Sequence, residues 1–333
     1  MRIDVHSHYW PASYIDLLVE LGRDDLRFAG RQADDIDERV AEMDSVDVDV
    51  SVLSAVGLSV EVGNPAGAMR GANHINDVYA GIMDRHPGRF QAFGTVPLPF
   101  VDEAIAETDR CLDELGFAGI CLACSYDGKP IDHPDFEAFW ANAARHDAVI
   151  YVHPVGSNSA GHPGLDAYNL HTAYGSPTQI AVAPIRLVYS GVSTRYPNLK
   201  FIFALCGGFL PYLWPRQERN LRRAIDASAT AAVGNHFFAW VKDLDLDHDD
   251  PMSALRRFWY DTSTQDLPLA LLCAKESYGA DRLLLGSDAI FASLTEAVSY
   301  IQDSAFLSDE EKTRILDHAA QEVLNLPETV RPS

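Results

Sequence analysis

The chain repeats one unit many times: a short run rich in β-branched and aromatic residues, then a longer stretch with helical periodicity. Eight such runs can be read, at residues 2–8, 50–55, 90–98, 119–126, 149–155, 200–208, 258–264 and 282–291. Strands that alternate with helices pair in parallel, because a parallel connection needs a crossover long enough to carry a helix. Eight such units predict an α/β fold closed into a (β/α)8 barrel of the TIM type. The length of 333 residues suits a single barrel domain over 1–333, and a 47% hydrophobic composition supplies its core.

The stretches between the runs have readable faces. Val101, Ala104, Ile105, Thr108, Cys111, Leu112 and Leu115 fall at helical spacing, and Gly116 follows as a stop. Phe136, Phe139, Trp140, Ala143 and Ala144 do the same behind Pro134. Ser308 and Glu311 have capping-box spacing at the start of a last helix that continues through Ile315, Leu316, Ala319, Ala320 and Val323. Three connections, 10–35, 156–177 and 226–255, exceed a minimal crossover. The first two leave the C-terminal ends of strands, so they predict loop insertions at the mouth where barrel active sites are built.

Composition narrows the partners. A formal net charge of -22, from 48 acidic and 26 basic residues, disfavours nucleic acid and anionic membranes, which both need basic footprints. No N-terminal signal peptide and no apolar run of membrane-spanning length is visible. The five cysteines, Cys111, Cys121, Cys124, Cys206 and Cys273, are odd in number and scattered, which fits a reducing cytoplasm. Cys121 and Cys124 sit three apart within one strand-like run and so face opposite sides, as packing residues do.

The opening run, RIDVHSH, carries the chemistry. Side chains alternate along a strand, so Asp4, His6 and His8 share one face. Polar groups on an inner face need partners, and a metal ion satisfies two imidazoles and a carboxylate at once. His153 ends the fifth run, Cys206 the sixth and Asp288 the eighth. In a closed barrel these ends meet at one mouth. Imidazoles with a carboxylate form a mixed donor set suited to Zn²⁺ and also to Mn²⁺ or Fe²⁺. Asp261, at the end of the seventh run, is placed to orient ligands from behind. His162, Tyr168, His171 and Tyr174 lie in or beside a loop rich in Gly and Ser that suits a cover, and any of them can supply a base.

With these residues in place, the chain resembles the amidohydrolase superfamily, in its aminocarboxymuconate semialdehyde decarboxylase-like branch. That branch includes decarboxylases of γ-resorcylate, 2,3-dihydroxybenzoate and 6-methylsalicylate. The likeness runs from RIDVHSHYWP through DERVAEMD, HPGRFQAFGTVPL, VIYVHP, LVYSGVSTRYPNLKFIFA, GGFLPYLWPR and FWYDTS to RLLLGSDAIF. It implies one divalent metal ion, zinc with manganese or iron as alternatives, held by His6, His8, His153 and Asp288. It implies non-oxidative decarboxylation of a small aromatic or unsaturated carboxylic acid, with Asp288 also carrying a proton to the reacting carbon.

Arg39 in DERVAEMD matches an arginine that holds a substrate carboxylate, though it can instead form a surface ion pair with Glu38, Glu42 or Asp44. Arg216 and Arg223 match arginines that reach a neighbouring subunit's site, which implies a homodimer.

Two departures from the branch stand out. Its sixth strand ends in His-Gly-Gly, with the histidine as an acid–base group, whereas this chain reads ALCGGF and places Cys206 there. Cys206 is then a small filler with Asp288 doing the acid–base work, a proton carrier or nucleophile, or a soft metal ligand. After GSD the branch often has an aromatic-proline pair, and this chain has Ala289, Ile290 and Phe291. A second reading of the same centre is a hydrolase or hydratase of a lactone, amide or unsaturated acid. A third, motivated by the missing histidine, is a non-catalytic or biosynthetic accessory protein derived from such enzymes.

Overall fold

The computed structural model describes residues 1–26, 35–58, 60, 62–155, 164–165, 167–229, 241, 244, 247, 249–264 and 267–326. Eight parallel strands follow one another around a sheet in chain order: β1 (Ile3–His8), β2 (Val50–Ser54), β3 (Phe90–Thr95), β4 (Gly119–Ala123), β5 (Val149–His153), β6 (Lys200–Phe203), β7 (Trp259–Asp261) and β8 (Leu283–Leu284). The chain beyond β8 returns to β1. Val5 N donates to the Leu285 carbonyl at 3.0 Å and Asp288 N to the His6 carbonyl at 2.9 Å, which closes the ring. Every apolar run of the sequence contributes one barrel strand.

The strands stop earlier than the runs. The run 200–208 leaves the sheet after Phe203, since Leu205, Cys206, Gly207 and Gly208 all take positive φ. The run 119–126 ends β4 at Ala123 and then enters a small hairpin, Ser125–Tyr126 with Lys129–Pro130, turned by Asp127 (φ 48°) and Gly128 (φ 72°). Two adjacent positive φ angles match the twist of a two-residue hairpin turn, and Asp-Gly supplies them at low steric cost.

Helices alternate with the strands: α1 (Ala12–Glu20), α2 (Ile36–Ser45), α3 (Pro65–Arg85), α4 (Val101–Asp109), α5 (Glu137–Arg145), α6 (Ser176–Tyr189), α7 (Leu210–Ala229), α8 (Pro268–Tyr278) and α9 (Leu294–Gln302). α1 lies within the first of the expected insertions. α3 starts where its sequence says it should, with Asn64 Oδ1 accepting from Gly67 N at 2.7 Å and Pro65 in the first turn. The capping box at Ser308 and Glu311 forms in both directions, at 3.3 and 2.8 Å. The expected last helix follows as Asp309–Thr313, a wide turn over Arg314–His318, and Ala319–Leu324.

The core has two shells. Outside the barrel, helix side chains pack on strands, as where Trp140 of α5 meets Phe201 of β6 at 5.8 Å between ring centroids. Inside, Phe93 of β3 stacks on Tyr151 of β5 at 5.1 Å, and this layer supports the polar residues above it. Among the described residues no helix is long and apolar enough to cross a membrane. All five cysteines are free, and all but Cys273 are buried.

Candidate metal centre

β1 delivers His6 and His8 into the barrel mouth, and both side chains are fully buried. Their rings meet edge to face at 4.9 Å, and the ring of His153, from the end of β5, lies 5.0 Å from each. Asp288 joins from the chain after β8. Its φ of 58° is a left-handed conformation that aspartate tolerates better than most residues. Asp288 Oδ1 lies 3.2 Å from His6 Nε2 and 3.1 Å from His8 Nε2. One ligand atom from each of His6, His8, His153 and Asp288 lies within 4.8 Å of all the others.

The donor set fits a divalent cation. His6 Nε2 and His8 Nε2 face one another at 3.1 Å, and Asp288 Oδ1 is buried without a hydrogen-bond donor. The opposite ring nitrogens are already engaged, His6 Nδ1 with Asp261 Oδ2 at 2.9 Å and His153 Nδ1 with the Pro154 carbonyl at 2.7 Å. Those contacts turn both Nε2 lone pairs toward the centre. Three imidazoles and a carboxylate oxygen thus converge where lone pairs outnumber protons.

The electrostatics agree. Burial acts to raise the Asp288 carboxyl, but the imidazoles of His6 and His8 outweigh it and hold the group well below the usual carboxylate range. Burial acts to lower His6, yet Asp261 and Asp288 outweigh it and raise that imidazole to about 10. Burial lowers His8 and His153. With two carboxylates, Asp261 and Asp288, around His6, the centre favours positive charge.

Asp261 anchors the assembly. Its buried carboxylate accepts from Tyr151 OH at 2.8 Å, Leu205 N at 3.0 Å, Ser263 N at 3.1 Å and Ser263 Oγ at 2.6 Å, besides facing His6. Burial would raise this carboxyl, but His6 and the Ser263 donors more than offset it. Asp261 thus ends β7 directly behind His6. Asp4, the third polar residue on the inner face of β1, stays out of the cluster. It accepts from Ser287 N at 2.9 Å and Ser287 Oγ at 2.7 Å, tying β1 to the far end of the sheet, and burial lifts its carboxyl to about 6.

Above the centre lies a cavity of about 930 Å³, with His8, His153 and Asp288 at its floor. Gly57, at φ +96°, borders it; a Cβ there would sit 3.4 Å from Trp10 and 3.8 Å from both His8 and His153. A second cavity of about 840 Å³ shares Ser263, Asp288 and Phe291 with the first, so Asp288 is approached from two sides.

The other expected residues fall differently. Arg39 does not border the described cavity. It is 4% exposed, donating to Ser7 Oγ at 2.5 Å and the His8 carbonyl at 2.9 Å, with its guanidinium over the Tyr9 ring. Among the described residues no ion pair joins it to Glu38, Glu42 or Asp44; Asp44 pairs with Arg89, and Glu42 accepts from Thr295. Arg216 and Arg223 are exposed on α7 and border neither cavity.

Cys206 does not border the described cavity. Its buried Sγ lies 3.4 Å from Thr264 Oγ1, burial pushes the thiol up to about 12, and it is not part of the ligand cluster. After β6 the cavity is lined by Leu205, with Gly208 and Phe209 beyond it. The expectation placed Cys206 at the end of the sixth strand, but the strand stops at Phe203 and a run of positive φ angles follows. Of the loop candidates, Tyr168 is 92% exposed, Tyr174 and His171 do not border the cavity although Thr172 and Ala173 do, and His162 lies outside the described residues.

A closed barrel with His-x-His on its first strand, a fifth-strand histidine and an aspartate beyond the eighth defines a metal-centre enzyme class. The family model described as amidohydrolase matches residues 3–326, and the chain belongs to that family. A 2-amino-3-carboxymuconate-6-semialdehyde decarboxylase from Dictyostelium discoideum is 27% identical over 349 residues, covering 98% of this chain and 92% of its own. A gamma-resorcylate decarboxylase from Rhizobium radiobacter is 29% identical over 301 residues, 84% of each chain. Among solved structures, a dihydroxybenzoic acid decarboxylase from Polaromonas with bound manganese and 2-nitroresorcinol superposes with a TM-score of 0.78 at 23% identity, covering 97% of this chain and 96% of its own.

Proposed function

We propose that the chain is a metal-dependent carboxy-lyase that removes CO₂, without net oxidation, from a small aromatic or unsaturated carboxylic acid. The observation that carries this reading is the double position of Asp288, which belongs to the ligand cluster and also walls the cavity. A group so placed reaches a carbon whose carboxylate is held at the centre.

His6, His8, His153 and Asp288 would hold the cation, zinc by the match of donor set and manganese as the alternative named with a relative. The cation would fix the substrate carboxylate and a neighbouring hydroxyl and offset their charge. Asp288 takes the hydroxyl proton through a carboxylate oxygen and returns it to the carbon that bears the carboxylate. The carbon–carboxylate bond then breaks, its electron pair restores the π system, and CO₂ leaves. The proton that reaches carbon comes from the substrate hydroxyl, so the product forms as its oxyanion and takes one proton from water for each CO₂ released, and the step balances without an oxidant. Trp10, Leu58, Leu205 and Phe291 keep the reacting carbon in apolar surroundings.

Hydrolysis or hydration needs a base beside an activated water, and the sixth-strand place where the branch has its histidine holds Cys206, which does not border the cavity. Cys206, with its raised thiol and its contact to Thr264, fits the filler role. A non-catalytic accessory role fits poorly with a complete ligand set.

The reading includes a homodimer, with Arg216, Arg223 and the 75% exposed Tyr212 on the outward side of α7, and a cytoplasmic location consistent with five free thiols. The experiment is a screen of hydroxybenzoates and unsaturated acids with metal-loaded protein, read by CO₂ release. Acid release from lactones or amides without CO₂ would replace the lyase reading with the hydrolase one.

A further inference from the structure

We infer that Tyr151 is a positioning residue of the metal centre: its hydroxyl holds Asp261 in the orientation that turns His6 Nε2 toward the other ligands. The role rests on the metal-dependent reading of the site and belongs to a residue outside the ligand cluster.

Side chains alternate along β5, so Tyr151 shares the inner face with His153, two residues further on. One strand thus delivers a ligand and, a layer deeper, a phenol. Tyr151 is fully buried. Its ring stacks on Phe93 of β3 at 5.1 Å with the planes 8° apart, and meets the His6 ring in an edge-to-face contact at 5.4 Å. A phenylalanine would make both contacts equally well. The hydroxyl needs a reason of its own, because a buried polar group is costly unless it is bonded. It donates to Asp261 Oδ2 at 2.8 Å.

The two oxygens of Asp261 divide their partners. Oδ1 accepts from Leu205 N at 3.0 Å, Ser263 N at 3.1 Å and Ser263 Oγ at 2.6 Å, all from the chain just beyond β6 and β7. Oδ2 faces His6 Nδ1 of β1 at 2.9 Å and accepts from Tyr151 of β5. An ionised carboxylate oxygen offers about two lone-pair sites, so these two donors occupy Oδ2. The donors on Oδ1 hold one corner of the carboxylate but leave it able to turn, since the terminal torsion of aspartate is broad. The Tyr151 hydroxyl removes that freedom. The orientation matters because His6 Nδ1 has a second acceptor in reach, Ser263 Oγ at 3.0 Å. If Oδ2 swings away, the imidazole follows Ser263, and its Nε2 leaves the direction it now shares with His8 Nε2 at 3.1 Å and Asp288 Oδ1 at 3.2 Å.

The test is Tyr151→Phe in the full-length protein, which keeps the ring and removes the oxygen. Manganese affinity is measured by competition with a chelating dye, beside thermal unfolding and circular dichroism of the metal-free protein. A cobalt-loaded sample adds a visible spectrum, which follows the geometry of the ligands. Tyr151→Phe should bind manganese about tenfold more weakly and shift the cobalt bands, with wild-type circular dichroism. Tyr151→Leu also removes the stack on Phe93. It should unfold at a lower temperature than Tyr151→Phe while its manganese affinity falls by a similar factor.

Wild-type manganese affinity and unshifted cobalt bands in Tyr151→Phe, with losses confined to Tyr151→Leu, would make Tyr151 a packing residue and overturn the inference. If Tyr151→Leu does not fold, the comparison of Tyr151→Phe with wild type still decides. A wild-type protein that takes up no divalent ion would remove the metal centre itself, and the role of Tyr151 with it.

Discussion

His6 Nδ1 lies 2.9 Å from Asp261 Oδ2, and both side chains are wholly buried. This contact fixes which nitrogen of His6 faces the centre, while the other Asp261 oxygen holds the amides of Leu205 and Ser263. One carboxylate thereby couples a proposed ligand to the loop beyond β6. In Asp261→Asn an amide N–H must face a donor on one side or the other. Metal affinity should fall about 10–100-fold, as for other supporting partners of ligating histidines. Stability should fall by about 1–3 kcal/mol for each buried donor left unpaired. Competition with a chelating dye and thermal unfolding measure the two effects. Wild-type metal affinity in Asp261→Asn would make the contact irrelevant to the centre.

Removal of the metal should abolish activity and its return should restore it. The purified protein should carry about one divalent ion per chain. His6→Ala and His153→Ala should lose the ion yet keep the barrel's circular dichroism, because the core is built by other side chains. Elemental analysis beside a spectrum decides this, and full activity in excess chelator would dismiss the proposed chemistry.

Arg39 should act through position rather than by gripping substrate. Arg39→Met leaves Ser7 Oγ and the His8 carbonyl without their donor. The expected cost is about 1–3 kcal/mol of stability, with weaker metal retention. KM of the fully loaded variant should stay near wild type. A raised KM at unchanged stability and metal content would restore the substrate contact expected from the sequence.

Cys206→Ala and Cys206→Ser should keep activity within about tenfold, a barrier change of roughly 1.4 kcal/mol. The thiol is buried against Thr264, outside the cavity lining, and too weak an acid to shuttle protons near neutral pH. A loss of ~10²-fold at full metal occupancy would make Cys206 a participant.

Gly57→Ala should impair the centre. The position has φ +96°, which side chains rarely adopt, while the added methyl would meet Trp10, His8 and His153 at ordinary contact distances. Backbone strain of about 1–3 kcal/mol is expected. Lower metal occupancy should accompany it, and an unchanged melting temperature and metal content would show that the loop relaxes freely.

Much of this protein was legible in its sequence, for local reasons. Strand runs, helix faces, the capping box at Ser308 and Glu311 and the His6–His8 spacing follow from periods of 2 and 3.6 and from nearby hydrogen bonding. The joining of β1, β5 and the chain beyond β8 at one mouth followed from eight strand–helix units, since a barrel brings the strand ends together.

Tertiary structure alone decided the rest. Leu205 rather than Cys206 borders the cavity because β6 stops at Phe203 and a run of positive φ angles follows, and neither 2 nor 3.6 applies within it. Arg39 is buried although its helix neighbours are acidic, because α2 packs it behind β1, where the His8 carbonyl needs a donor. Asp4 shares a face with the two histidines yet serves Ser287, because closure of the barrel brings two backbone-distant polar groups into contact. In each case the deciding partner is remote in sequence, and the hydrogen bond it offers exists only once the ring has closed.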